Sequence, residues 1–165
     1  QRQMCIRDSV GTTFMVQLPF LISADMKQAE SQEDDVSIEG MRILLAEDNE
    51  LNMEIAEFLL TNAGAEIIRA SNGKEAVEAF AKSGVGDINV ILMDIMMPVM
   101  DGLEATREIR TMNRSDASAV VIIAMTANAF TEDKTKALKS GMDDYLTKPL
   151  ESEKLIRALS RYKHN

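Results

Sequence analysis

Polar side chains that could do chemistry follow short apolar runs at four places in the sequence. They are Glu47 and Asp48 after "MRILLA", Asp94 after "INVILM", Thr126 after "AVVIIAM", and Lys148 after "DDYLT". Three carboxylates in one crevice repel one another unless a cation joins them, and Lys148 supplies only one positive charge. Mg²⁺ suits such a site because it takes oxygen ligands and favours one or two carboxylates together with a phosphate.

Asp94 is the residue whose chemistry matters most. It lies in "VILMDIMMPVMDG", where an apolar run stops at one carboxylate and a proline and an Asp-Gly pair follow. A lone aspartate after a strand usually caps a turn, but four other strand-end groups accompany this one. An aspartate carboxylate can attack phosphorus. We therefore interpret Asp94 as a phosphoryl acceptor, with a metal and Lys148 neutralising phosphoryl charge and the Thr126 hydroxyl bonding a phosphoryl oxygen.

The sequence after Met41 predicts a scaffold that brings these strand ends together. Short apolar runs, typical of strands buried on both faces, alternate with amphipathic stretches five times. The predicted strands are "MRILLAEDN", "AEIIRAS", "INVILMD", "AVVIIAMTA" and "DDYLTKP". This alternation favours an α/β fold, a doubly wound five-stranded parallel sheet with five helices. In the order 2-1-3-4-5, strands one, three, four and five meet around a crevice at their carboxyl ends.

A helix is predicted after each strand. The five helical segments are "ELNMEIAEFLLTNAG", "NGKEAVEAFAKSG", "DGLEATREIRTMN", "TEDKTKALKSG" and "LESEKLIRALSRYK". Four residues of the first helix share one apolar face: Leu51, Ile55, Phe58 and Leu59. Two later helices begin with pairs in capping register: Asn72 with Glu75, and Asp101 with Glu104.

The first forty residues divide into three segments. Residues 1–9 contain "QMCIRDS", which matches a translated sequencing-library adapter, and we exclude them from fold reasoning. In 10–22, "VGTTFMVQLPF" has a strand pattern and resembles the last strand of the ATP-binding domain of sensor histidine kinases; an unrelated edge strand is the alternative. Residues 23–40 are acidic, rich in Ser and Gln and free of aromatic side chains, which predicts a flexible linker.

Composition excludes several classes of function. The chain has 165 residues, of which 45% are hydrophobic, enough for one domain with a core. A formal net charge of −9 argues against a nucleic-acid surface and against docking on anionic lipid. No apolar run reaches the roughly 20 residues of a membrane-spanning helix. A single cysteine, Cys5, rules out a disulfide framework and a cysteine metal cluster.

Residues 41–163 closely resemble a response-regulator receiver domain of the type fused to hybrid sensor histidine kinases, with its flavodoxin-like fold. The segments that carry the resemblance are "LLAEDNELN", "VILMDIMMPVMDG", "IIAMTANAF" and "GMDDYLTKPL", in the family's order and spacing. The resemblance implies that Asp94 is the phosphoacceptor and that Glu47 and Asp48 are the acidic metal pair, with Asp48 the direct ligand. It also implies that the backbone carbonyl of Met96 is a metal ligand.

The resemblance assigns roles to the later strand ends as well. Lys148 would contact the phosphoryl group, and the peptide bond before Pro149 is expected to be cis. Thr126 and Tyr145 match the family's switch pair, in which the hydroxyl moves to the phosphate and the ring turns inward. Without the resemblance, Tyr145 would be interpreted as a half-buried core ring.

The implied function is phosphotransfer with Mg²⁺ as cofactor. The domain would take a phosphoryl group from the phosphodonor domain of a histidine kinase and pass it to a histidine phosphotransfer protein. We expect no nucleic-acid partner and no membrane contact by this segment. We expect a bacterial protein located in the cytoplasm. An inner-membrane anchor elsewhere in the parent kinase is compatible with this location. The domain would catalyse its own phosphorylation, but the segment lacks the kinase catalytic core, so its status as an enzyme is a matter of definition.

Two other functions stay open at this point. A haloacid-dehalogenase-type phosphatase also uses an aspartyl nucleophile, but that family needs a second Asp two residues later, where this chain has Met96. The second alternative is a receiver that is not phosphorylated and acts only as a docking surface. A flavodoxin is excluded because "AEDNELN" after the first strand would repel a flavin phosphate.

Overall fold

The computed structural model describes residues 4–8, 11–15, 36–127 and 131–163. The chain divides into two compact units, Gln1–Asp34 and Asp35–Asn165.

Two antiparallel strands make up the described part of the first unit. They are β1 (Met4–Asp8) and β2 (Gly11–Met15), paired with Met4 opposite Met15. The second strand lies inside the segment for which the sequence predicts a strand, and residues 16–20 of that segment lie outside the described residues. The adapter origin of residues 1–9, which contribute the first strand, stays a prediction.

The second unit contains a parallel sheet of five strands. These are β3 (Arg42–Ala46), β4 (Glu66–Ala70), β5 (Val90–Asp94), β6 (Val121–Thr126) and β7 (Asp144–Thr147). They are hydrogen-bonded in the order β4-β3-β5-β6-β7, which is the predicted order 2-1-3-4-5. The register places Ala46 beside Met93 and Asp94 beside Met125, so the carboxyl ends of β3, β5 and β6 lie at one edge of the sheet.

Five helices connect and follow these strands. They are α1 (Glu50–Asn62), α2 (Gly73–Lys82), α3 (Gly102–Thr111), α4 (Thr131–Ser140) and α5 (Ser152–Ser160). The predicted caps are confirmed: the Asn72 side chain accepts from the Glu75 N–H at 2.9 Å, and Asp101 accepts from the Glu104 N–H at 2.7 Å. Among the described residues we find no helix with the length and apolar character needed to cross a bilayer.

An apolar core lies on each face of the sheet, as the continuous apolar strands predict. Side chains of β5 alternate between the two cores, with Ile91 and Met93 on one face and Val90 and Leu92 on the other. Core residues of α2 and α3 belong to the first cluster, and those of α1 and α5 to the second. Asp94 therefore lies at the end of a strand that is buried along its whole length.

The buried face of α1 differs from the apolar face found in the sequence. The helix buries Met53, Ala56 and Leu60, which are spaced three and four residues apart. Three members of the sequence-derived face are largely exposed: Leu51 at 64%, Ile55 at 47% and Phe58 at 64%. The helix therefore has two apolar stripes, and the one that contains the small side chain of Ala56 packs on the sheet while the other faces solvent.

The folded unit also begins earlier than the expected boundary at Met41. Ile38 is completely buried in the core, and the Gly40 N–H donates to the Gly64 carbonyl at 2.8 Å. The final residues of the segment expected to be linker therefore belong to the domain. The sequence pattern did not indicate this burial because the residues around Ile38 are mostly polar. The described part of the second unit begins at residue 36.

Candidate active site

The acidic pair lies between β3 and α1. Glu47 follows β3 directly, is 3% exposed, and its N–H donates to the Ala70 carbonyl at 3.0 Å. Asp48 is exposed. The chain turns into α1 at the next residue, where the Asn49 side chain caps the helix by accepting from the Asn52 N–H at 3.1 Å. The start of α1 therefore fixes the position of both carboxylates.

Asp94 is buried at the end of β5, and the following loop returns to it. The Met96 N–H donates to Asp94 Oδ1 at 3.1 Å, and the Gly102 N–H donates to the Ile95 carbonyl at 3.0 Å. A Cβ atom on Gly102 would lie 2.1 Å from the Asp94 carbonyl oxygen, which is much closer than any real contact. Gly102 is thus required for the first turn of α3 to approach the backbone of Asp94.

Lys148 joins the two buried carboxylates from the end of β7. Its Nζ donates to Asp94 Oδ2 at 2.6 Å and to Glu47 Oε2. Its backbone N–H donates to the Thr126 carbonyl at 2.8 Å, which fixes the strand end beside β6. The peptide bond between Lys148 and Pro149 is cis, as the resemblance implies.

Burial and ion pairing shift the pKa values of Asp94 and Lys148. Burial raises the pKa of Asp94 above its usual range, although hydrogen bonds from Lys148 and from the Met96 N–H act in the opposite direction. Burial alone would lower the pKa of Lys148, but hydrogen bonds to Asp94 and Glu47 outweigh it and raise the pKa. The lysine is therefore held as a cation beside a carboxylate that binds a proton more readily than an ordinary aspartate.

The three carboxylates form a group that fits a hard divalent cation. One oxygen from each of Glu47, Asp48 and Asp94 can be chosen so that all three lie within 4.8 Å of one another. All these donors are oxygens, and the exposed Asp48 leaves one side of the group open to solvent. Mg²⁺ keeps several waters and binds through one or two carboxylates, so the donor set suits it.

The predicted switch residues lie on one face of the sheet. Thr126 is 6% exposed at the end of β6, and Tyr145 on β7 pairs with Ala124. Because Ala124 and Thr126 are two residues apart on one strand, their side chains and that of Tyr145 share a face. Tyr145 is half-buried, and Lys134 of α4 lies 4.4 Å from its ring centroid and 3.3 Å from its hydroxyl oxygen.

Three contributors were missed by the sequence analysis. The side chain of Asn52 donates to Glu47 Oε1 at 3.0 Å, Gly102 allows the close approach to Asp94, and Lys134 contacts Tyr145. The glycine could have been found from the Asp-Gly pair before α3. The two side-chain contacts carry no signal in the sequence because each joins elements whose relative rotation is set by tertiary packing.

Comparison with known proteins identifies the family. Residues 43–160 match the family model of the response regulator receiver domain. The chain belongs to this family. A receiver domain of a sensor histidine kinase from Pseudomonas aeruginosa PAO1, solved with a magnesium ion coordinated in its active site cleft, is 39% identical; the match covers 76% of this chain and 99% of that one, with a TM-score of 0.69. The receiver fold is thereby confirmed.

Other similar proteins include histidine kinases and the receiver domain of a response regulator. "Hybrid signal transduction histidine kinase I" of Dictyostelium discoideum is 41% identical over 72% of this chain, and the sensor protein GacS of Pseudomonas syringae pv. syringae is 36% identical over 77%. This receiver chain spans only 7% and 14% of their lengths. The receiver domain of Saccharomyces cerevisiae Ssk1, solved with the histidine phosphotransfer signaling protein Ypd1, is 31% identical, with coverage of 76% and 90% and a TM-score of 0.67. Because these relatives include bacterial and eukaryotic proteins, the expected bacterial origin stays a prediction.

Proposed function

We propose that this receiver domain accepts a phosphoryl group from a phosphohistidine onto Asp94 in a reaction that requires Mg²⁺. The observation that carries the proposal is the contact of Lys148 with both Asp94 and Glu47, beside the exposed carboxylate of Asp48. An Asp94 oxygen attacks phosphorus, the phosphorus–nitrogen bond breaks, and its electron pair stays on the imidazole nitrogen. With a proton already on the other ring nitrogen, the histidine leaves as neutral imidazole and the product is an acyl phosphate.

Each polar group of the site would have its own role in this transfer. Glu47, Asp48, Asp94 and the carbonyl of Met96 would form the metal site, and the bound ion would supply positive charge to the phosphoryl oxygens. Lys148 bridges the carboxylates before transfer and is close enough to follow the new phosphoryl group. The Thr126 hydroxyl would bond a phosphoryl oxygen, and Tyr145 on the same face of the sheet would move with it.

The exposed apolar stripe of α1 supports a helical histidine phosphotransfer protein as the partner. The stripe consists of Leu51, Ile55 and Phe58, exposed by 64%, 47% and 64%. It begins one residue before Asn52, which contacts Glu47, so it runs away from the acceptor site along α1. A phosphohistidine on a helical bundle must approach this rim, and an apolar patch beside the histidine would cover the stripe.

Labelling of Asp94 tests the proposed reaction. With Mg²⁺ and acetyl phosphate, the parent protein should become labelled and Asp94→Asn should not. Asp101→Asn is the matched control, because asparagine preserves the cap of α3 while removing a carboxylate seven residues away. Undiminished labelling of Asp94→Asn would disprove the assignment.

Profiling against a panel of histidine phosphotransfer proteins tests the partner. In the Leu51→Ser and Phe58→Ser variants, phosphotransfer between the domain and its partner should slow, while labelling by acetyl phosphate should be unchanged.

The rival functions make different predictions for the same protein. A phosphatase of the haloacid-dehalogenase type would turn over phosphomonoesters repeatedly, which we do not expect because Met96 has no acidic group to protonate a leaving alcohol. A docking-only receiver would show no Mg²⁺-dependent change in its NMR spectrum. The group of three carboxylates favours the phosphorylated alternative.

We further propose that the chain derives from a hybrid histidine kinase located in the cytoplasm or anchored to the inner membrane. The hybrid kinases among its relatives and the resemblance of 10–22 to a kinase ATP-binding domain support this parent. In that setting the phosphodonor is the kinase's own histidine domain. Expression of the full-length parent with radiolabelled ATP, with and without Asp94→Asn, tests it.

A further inference from the structure

Both side-chain oxygens of Glu47 are bonded by side chains that come from opposite sides of the site. Oε2 accepts from Lys148, and Oε1 accepts from the side-chain amide of Asn52 at 3.0 Å. The amide is presented by the first turn of α1, where the Asn52 N–H is itself bonded to the Asn49 side chain at 3.1 Å. The donor to Oε1 is therefore held by a capped helix.

A glutamate at this position needs such a restraint. Glu47 is only 3% exposed, so water has little access to a carboxylate oxygen that loses its partner. Glutamate also has one more rotatable bond than aspartate, and it lies in a group whose oxygens are within 4.8 Å of one another. Without the bond to Oε1, the carboxylate could rotate about its last torsion and present its charge to the metal position in several ways.

We propose that Asn52 is a positioning residue for the metal site: its amide fixes the orientation of Glu47, so that the carboxylates are arranged for Mg²⁺ before the ion arrives. The inference rests on the proposed function for the identity of the ion. Partners that orient metal-binding side chains typically contribute 10–100-fold to metal affinity. We therefore expect about a 10-fold increase in the Mg²⁺ Kd when the amide is removed.

The test measures Mg²⁺ binding without any phosphodonor. Asn52→Leu keeps the branched shape of the side chain and removes the donor, and Mg²⁺ is titrated while backbone amide shifts are followed by NMR. The Kd should increase about 10-fold, whereas the rate of labelling by acetyl phosphate at saturating Mg²⁺ should change less than about threefold. A Kd within twofold of the parent would overturn the proposal. Failure of labelling in the parent itself would count against the proposed function only, since metal binding is measured separately.

A double-mutant cycle shows whether Asn52 acts through Glu47. In a Glu47→Gln background, Asn52→Leu should have little further effect on the Mg²⁺ Kd, because the group it orients has lost its charge. An equal loss in both backgrounds would overturn the proposal. Asn72→Ala is the control for helix capping, because Asn72 caps α2 by accepting from the Glu75 N–H: it should lower stability by about 1 kcal/mol and leave the Kd within twofold. If Asn52→Leu does not fold, as judged by circular dichroism, Asn52→Ala replaces it in each comparison.

Discussion

Replacement of Lys148 by methionine should change stability and metal affinity in opposite directions. The lysine side chain is 16% exposed, and its ammonium group contacts two carboxylates whose side chains are 3% and 8% exposed. Removing one partner of a buried ion pair leaves uncompensated charge and typically costs about 3–5 kcal/mol. We therefore expect Lys148→Met to lower the free energy of unfolding of the metal-free protein by about 3 kcal/mol. Urea titration followed by far-ultraviolet circular dichroism measures it.

The same substitution should strengthen Mg²⁺ binding, because the ammonium group repels the ion. A single and a double positive charge about 6 Å apart in a medium like water repel by about 1.4 kcal/mol. That energy corresponds to about a 10-fold decrease in Kd. The variant should therefore be destabilised without metal and regain more stability than the parent when Mg²⁺ is added.

A surface lysine provides the control for this experiment. Lys154 pairs with Glu151 at 2.8 Å, and its side chain is 71% exposed. Lys154→Met should shift stability by less than about 0.5 kcal/mol and leave the Mg²⁺ Kd unchanged. The electrostatic reasoning fails if Lys148→Met is as stable as the parent without metal, or if its Mg²⁺ Kd is unchanged or higher.

Three further predictions concern other parts of the domain. Gly102→Ala should lower the free energy of unfolding by about 3 kcal/mol and reduce Asp94 labelling, because a Cβ atom would lie 2.1 Å from the Asp94 carbonyl oxygen. Urea unfolding and labelling by acetyl phosphate measure the two effects. Values like those of the parent would contradict the close contact. Arg114 lowers the pKa of Asp116 to about 2. The stability that this carboxylate adds is fully present above about pH 4 and is lost as pH falls through 2, so Asp116→Asn should cost about 1–2 kcal/mol at pH 7, about half of that at pH 3 and little at pH 2. A difference that does not shrink would refute it. Chelation by EDTA should stop labelling without altering circular dichroism, because no buried side-chain polar atom of the described residues lacks a hydrogen-bond partner; loss of the spectrum would show that the fold depends on metal.

The parallel sheet and the clustering of the site residues at one of its edges could be predicted. Both follow from the regular alternation of apolar runs and amphipathic stretches in the sequence. An apolar run such as that of β5 is buried on both faces only in a covered parallel sheet. Once the strands are parallel and their order is fixed, the residue after each strand lies at a common edge. The contact of Lys148 with Asp94, which are 54 residues apart, follows from that geometry and not from any local signal.

The orientation of α1 could not be predicted in the same way. Its sequence contains two apolar stripes, and the pattern alone does not say which one packs on the sheet. The buried stripe includes Ala56, whose small side chain lets the helix approach closely, while Phe58 and Leu51 remain exposed. The contact of Asn52 with Glu47 depends on this rotation, so the orienting amide was missed for the same reason.

If Asp94 is phosphorylated as proposed, the charge balance of the site explains why a lysine alone cannot prepare it for the reaction. Three carboxylates and one ammonium group leave two negative charges in excess. A phosphoryl group brings further negative charge to the same rim, so its approach is opposed until the excess is removed. A divalent ion removes that excess without displacing the lysine, which remains available for the phosphoryl oxygens. On the proposed function, metal binding and phosphorylation are therefore coupled by charge, and a variant that lacks one carboxylate should gain less stability than the parent from added Mg²⁺ while losing the reaction.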